Sequence, residues 1–135
     1  MTDAIRIRER LIDSLLIEAR RNPRIECCGL LAGREGTISA ILPARNVLES
    51  ATAYEITPEE LFALFRRMRD LNLDHLGIYH SHPATDNAPS PTDIAQAYYP
   101  DAAYFILTPL PEAARSVRAF RIVDGRVTEL TVEMI

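Results

Sequence analysis

The sequence predicts a mixed sheet with helices packed on it, α/β or α+β in class, and three observations carry that expectation. Short apolar or β-branched runs recur between stretches of helical periodicity. Two hydroxyl-proline pairs, Thr57-Pro58 and Ser90-Pro91, open helices between those runs. Asp124-Gly125 separates two further runs and is a strong hairpin signal. The element order is α-ββ-α-β-α-β-ββ, which places helices beside a sheet rather than in a separate bundle.

Taken in order, residues 5–21 carry Ile7, Leu11, Leu15, Leu16 and Ala19 on one helical stripe, which stops at Asn22-Pro23. Residues 27–32 form a short buried strand, and Gly33 to Gly36 turn the chain into a second one over 37–42. Thr57 caps the next helix, Pro58 suits its first position, and Glu60 is placed to reach back as a capping box. That helix runs to Asp70 and is expected to bury Leu61, Phe62, Leu64, Phe65 and Met68. A strand follows over 75–80, with His75 exposed at its start. Ser90-Pro91-Thr92-Asp93 repeats the cap-plus-proline pattern and opens a helix to about Tyr99. Strands over 103–108, 115–123 and 127–133 complete the chain. Phe62, Phe65, Tyr98 and Tyr99 read as core.

The bulk numbers bound the function. A chain of 135 residues with 47% hydrophobic and 25% charged residues suits one globular domain over 1–135. A formal charge of -4 and scattered basic residues argue against a nucleic-acid surface; Arg66, Arg67 and Arg69 read as the wet face of a helix. No window approaches the eighteen apolar residues of a membrane span, and the N-terminus lacks the pattern of a signal peptide, so a cytoplasmic location is expected. The two cysteines, Cys27 and Cys28, are adjacent. They close no useful loop and lack C-x-x-C spacing, which leaves apolar filler in a reducing compartment as the role of at least one.

Chemistry concentrates in Gly77-Ile78-Tyr79-His80-Ser81-His82-Pro83 and the following Ser90-Pro91-Thr92-Asp93. In a strand, residues two apart share a face, so His80 and His82 can reach one ion while Ser81 points away. A turn can bring the Asp93 carboxylate back to them. Two nitrogens and one oxygen leave a tetrahedral zinc one position for water, the mark of a catalytic site. A hydrolase of that kind also needs a base and an oxyanion donor, for which Glu26 and Ser90 are the candidates. Each has a plain alternative: paired histidines as strand residues, Ser90 and Asp93 as helix punctuation, Glu26 as a surface carboxylate. Their joint occurrence in a chain with three histidines favours the site.

Glu26, His80-Ser81-His82, seven residues, Ser90, two residues and Asp93 resemble the JAMM motif of the MPN+ metalloproteases, E…H-[ST]-H-x7-S-x2-D, without insertion or deletion. The flanks Glu26 to Leu31 and Gly77 to His80 resemble the compact bacterial members. The resemblance implies a cytidine-deaminase-like sandwich. It implies one zinc per chain held by His80, His82 and Asp93, with Glu26 as general base and then acid, and Ser90 steadying the oxyanion. It also implies cleavage after the C-terminal Gly-Gly tail of a ubiquitin-like sulfur-carrier protein or its conjugate. The chain has no room for the long insertions with which eukaryotic relatives recognise polyubiquitin. Residues 46–57 either line a groove for the tail or form a plain strand at Tyr54-Glu55-Ile56. An exposed apolar helix face is compatible with a homodimer.

Three rival functions fit the sequence less well. A non-catalytic MPN-type binding scaffold would lose ligands, whereas all are present here. A thiol hydrolase built on Cys27 or Cys28 would need a histidine that has a better use. A zinc nucleoside deaminase would need H-x-E and P-C-x-x-C, which the chain lacks.

Overall fold

The computed structural model describes residues 3–135. Its elements are β1 (Ala4–Ile7), α1 (Glu9–Arg21), β2 (Cys28–Arg34), β3 (Thr37–Ala44), α2 (Pro58–Asp70), β4 (Asp74–Ser81), α3 (Pro91–Ala95), β5 (Ala103–Leu107), β6 (Val117–Val123) and β7 (Arg126–Met134). The mixed α/β class is as expected. The sheet runs β1-β3-β2-β4-β5-β6-β7 and closes on itself, because β1 pairs in parallel with both β3 and β7. β4 and β5 are also parallel; the remaining pairs are antiparallel.

Alternation along the strands separates two cores. One gathers Ile5, Ile7, Leu31, Ile38, Tyr79, Phe105, Leu107, Ala119 and Leu130 from all seven strands around Leu11, Leu15 and Ala19 of α1, so the closed sheet wraps α1. The other lies outside, where Leu64 and Met68 of α2 cover Leu30, Ile78, Tyr104, Ile106 and Phe120. Among the described residues, no helix is long and apolar enough to cross a membrane.

Several expectations are corrected. The first three residues of the predicted helix, Ile5 to Ile7, belong instead to β1, whose burial alternates from Ala4 to Ile7. Ile7 lies four residues before Leu11, so the helical stripe runs unbroken through a strand of period two. α2 has its predicted bounds, and the Thr57 hydroxyl accepts from the Glu60 N–H. The Glu60 carboxylate, however, accepts from the Arg45 N–H at 3.0 Å and so ties the preceding loop to the helix. Phe62 is 67% and Tyr98 73% exposed, because α2 meets the sheet only along its Leu64–Met68 face and α3 ends at Ala95. His75 is half-buried, not exposed: a bulge in the pairing of β2 with β4 sets it opposite Ala32. There it meets Phe65 and Tyr99 edge-on at 5.0 and 5.2 Å. The β6–β7 hairpin turns through Asp124 (φ 50°) and Gly125 (φ 77°), the left-handed pair that a two-residue turn requires.

Candidate metal centre

β4 is central in the sheet, flanked by β2 and β5, so its end is dry. His80 pairs with Cys28 on one side and Ile106 on the other and is 1% exposed. The strand geometry carries past Ser81, because the His82 N–H donates to the Leu107 carbonyl at 2.8 Å. Both imidazoles therefore lie on one side, with Nε2 atoms 3.2 Å apart. Ser81 points the other way. Its hydroxyl accepts from the Cys27 N–H (2.9 Å), and its own N–H donates to the Cys27 carbonyl (3.0 Å), pinning the segment before β2 to β4.

α3 supplies the third donor. Its N-terminus is a reciprocal capping box: the Ser90 hydroxyl accepts from the Asp93 N–H (3.0 Å), and the Ser90 N–H donates to Asp93 Oδ2 (2.9 Å). The same oxygen stands 3.2 Å from His80 Nε2 and 3.0 Å from His82 Nε2. Helix punctuation and site geometry are one arrangement here.

The donor set fits a divalent ion. A carbonyl only accepts, so His82 Nδ1, 2.8 Å from the Asp86 carbonyl, carries a proton, and in the neutral ring Nε2 is then the atom that can ligate. Ligand atoms 2.0–2.1 Å from a tetrahedral zinc stand roughly 3.3 Å apart, close to the edges of this triangle. The cluster of His80, His82 and Asp93 is thus compatible with metal binding. Burial lowers the His80 pKa against the pull of Asp93, which favours the neutral ligand form. Burial also opposes protonation of His82, but the Asp93 bond, the Asp86 carbonyl and the Glu26 charge outweigh it. For Asp93, burial is overcome by the two imidazole bonds, which hold its carboxyl well below the ordinary range.

Glu26 is buried beside this cluster at 2% exposure, not on the surface. Continuing the β2–β4 register through the Ser81–Cys27 bonds sets it opposite His82. Its Oε1 is buried without a hydrogen-bond partner. Burial pushes its carboxyl up to about 8, while His82 pulls it down and Asp93 pushes it up. Such a group exchanges a proton near neutral pH.

Two residues of the 46–57 segment take places that the sequence did not assign to them singly. Asn46 is buried at 6%, and its amide donates to the carbonyls of Glu26 (3.1 Å) and Ala53 (2.9 Å) while accepting from the N–H groups of Leu48 (3.1 Å) and Glu55 (3.2 Å). With the Glu26 N–H donating to the Ser50 carbonyl at 2.8 Å, the Glu26 peptide is held from both sides. Tyr54 belongs to an irregular segment, not a strand, and its ring stacks on His80 at 4.7 Å with planes 25° apart. The Asn-Val-Leu run after β3 is the one sequence hint of a side-chain-closed loop. The cysteines form no disulfide. Burial raises Cys27 to about 11 and Cys28 to about 12, leaving no thiolate for nucleophilic work.

The chain is similar to known proteins along most of its length. The profile of prokaryotic homologs of the JAB domain matches residues 8–123. The CysO-cysteine peptidase of Mycobacterium tuberculosis is 37% identical over 131 residues, 96% of this chain and 90% of that protein. The desampylase of Haloferax volcanii is 39% identical over 104 residues, covering 72% of this chain and 75% of that one. The solution structure of a protein from Desulfitobacterium hafniense superposes with a TM-score of 0.85 at 29% identity, over 97% of this chain and 92% of its own. With a JAMM-type donor cluster at the end of β4 and these likenesses along nearly its whole length, the chain belongs to the family of prokaryotic JAB-domain proteins and is a hydrolase of the JAMM type.

Proposed function

We propose that the chain is a zinc-dependent peptidase or isopeptidase that cleaves the amide bond after the Gly-Gly tail of a ubiquitin-like sulfur carrier or its conjugate. The observation that carries this reading is the donor triangle of His80, His82 and Asp93 with a protonatable Glu26 buried beside it. The relatives named for CysO-cysteine and for desampylation support the substrate class.

His80, His82 and Asp93 would hold one zinc ion per chain. A zinc ion held there would supply Lewis acidity and lower the pKa of a bound water to about 7. Glu26, buried beside the donors and opposite His82, takes the proton of the attacking water and returns it to the leaving amine. The Ser90 hydroxyl accepts from the Asp93 N–H and keeps its own hydrogen free to donate to the oxyanion. Residues 53–56 suit the tail. The backbone of Ala53 and Glu55 is taken up by Asn46 and Val47, whereas the N–H and C=O groups of Tyr54 and Ile56 make no hydrogen bond among the described residues. A tail without side chains can approach such an edge closely.

The test is to weigh the products when zinc-loaded protein meets carrier-Gly-Gly-cysteine and carrier-Gly-Gly-lysine conjugates. Release of carrier ending in Gly-Gly, lost in His80→Ala and His82→Ala together with the zinc, is the expected result. Stoichiometric zinc with neither conjugate cut would overturn the substrate; cleavage surviving in both variants would overturn the site.

A further inference from the structure

We infer that Asn87 is the positioning residue that sets the spacing between two of the donors, His82 and Asp93; the inference rests on the metal-binding reading of that cluster. Residues 83–89 join the end of β4 to the Ser90 cap of α3, so they connect the two donors directly. The connection is short of regular structure, and its outer residues Ala84, Thr85, Asp86 and Ala88 are exposed. Asn87, between exposed Asp86 and Ala88, is 1% exposed. Its amide donates to the Ile106 carbonyl (3.2 Å) and the Arg115 carbonyl (2.9 Å), strapping the connection to β5 and to the residues leading into β6.

What that strap controls is next door on both sides. The preceding carbonyl, Asp86, receives the His82 Nδ1–H at 2.8 Å and so decides which nitrogen of the ring faces the cluster. Three residues further on, Ser90 holds Asp93 Oδ2 through its backbone N–H at 2.9 Å. Two lesser ties act on the same connection: the Thr108 hydroxyl donates to the Thr85 carbonyl at 3.3 Å, and Arg118 lies 3.8 Å from the Asp86 carboxylate. The Thr108 bond is the longest of these hydrogen bonds and falls on the residue before Asp86, and Arg118 faces the exposed Asp86 carboxylate rather than its carbonyl.

Asn87 Oδ1 is buried with no hydrogen-bond partner, so the side chain is held by its two donations alone. Both go to backbone carbonyls far along the chain, one on β5 and one just before β6, which is what a spacer needs.

The test compares Asn87→Ala and Asn87→Asp with the natural protein and with Ile122→Val, a core change on β6 away from the cluster. Competition with a chromogenic chelator reads zinc affinity, and long-range proton–nitrogen NMR on the metal-free, folded proteins reads the His82 tautomer. Zinc affinity should fall about 10- to 100-fold in both Asn87 variants, the range for losing a group that orients a ligand. The His82 signal should change from one tautomer to a mixture. Ile122→Val should lower the melting temperature while leaving both readings in place. A folded Asn87→Ala protein with natural zinc affinity and an unmixed His82 tautomer would overturn the inference. Should the natural protein bind no zinc, the metal-centre reading fails and the inference with it; the tautomer measurement then still reports whether Asn87 orients His82.

Discussion

Replacing Glu26 with glutamine separates chemistry from stability in one variant. The folded carboxyl has a pKa pushed from 4.5 to about 8, chiefly by burial. Below about pH 4.5 folded and unfolded chains both keep the proton, and the substitution changes little. As pH rises past that value the unfolded carboxyl ionises and the folded one does not, so the natural protein loses stability with rising pH. The loss levels off near pH 8, where the folded carboxyl ionises too. By pH 7 the two states differ over ~2.5 pH units at about 1.4 kcal/mol each, or about 3 kcal/mol. Glutamine imitates the protonated carboxyl and has no such pH dependence. In metal-free protein at pH 7, Glu26→Gln should therefore melt roughly 10 °C higher than the natural chain, with the difference vanishing near pH 4. The assay is thermal unfolding by circular dichroism across pH 4–8 with chelator present. In zinc-loaded protein, turnover should fall by about 10²- to 10⁴-fold with zinc retained. The same difference in melting temperature between the two proteins at pH 4 and at pH 7 would refute the burial argument. Unchanged turnover would reject Glu26 as the base.

Ser90→Ala removes the hydroxyl that caps α3 but leaves the backbone N–H that holds Asp93 Oδ2. Zinc content should persist while kcat drops roughly a hundredfold and stability falls by about 1 kcal/mol, read by metal analysis, steady-state kinetics and melting. Natural turnover in that variant would remove Ser90 from the chemistry. Replacing Cys27 and Cys28 together with serine should leave kcat within a small factor of the natural value, since both thiols stay protonated at neutral pH. Loss of activity in a folded, zinc-loaded double variant would bring thiol chemistry back.

Much of the site is readable in one dimension because its signals are local. The Ser90/Asp93 capping box spans four residues, and its geometry is the geometry that aims Asp93. The i, i+2 spacing of His80 and His82 needs only a strand to bring the rings together. Thr57-Pro58 and Asp124-Gly125 are likewise self-contained. β1 is different: Ile5 and Ile7 continue the periodicity of α1, and only pairing with β3 and β7 reveals a strand. The exposure of Phe62 and the half-burial of His75 depend on which face of α2 meets the sheet and on a bulge in a partner strand. No local pattern encodes either.

From the sequence alone came the donors, their order along the chain and the caps that orient them, since each rests on contacts a few residues long. Only tertiary structure decided that Glu26 is dry, that Asn46 and Asn87 hold the segments around it and the donors, and that Tyr54 lies on His80. Desolvation and the pairing of buried amides depend on groups from distant parts of the chain, so they exist only once the sheet has closed.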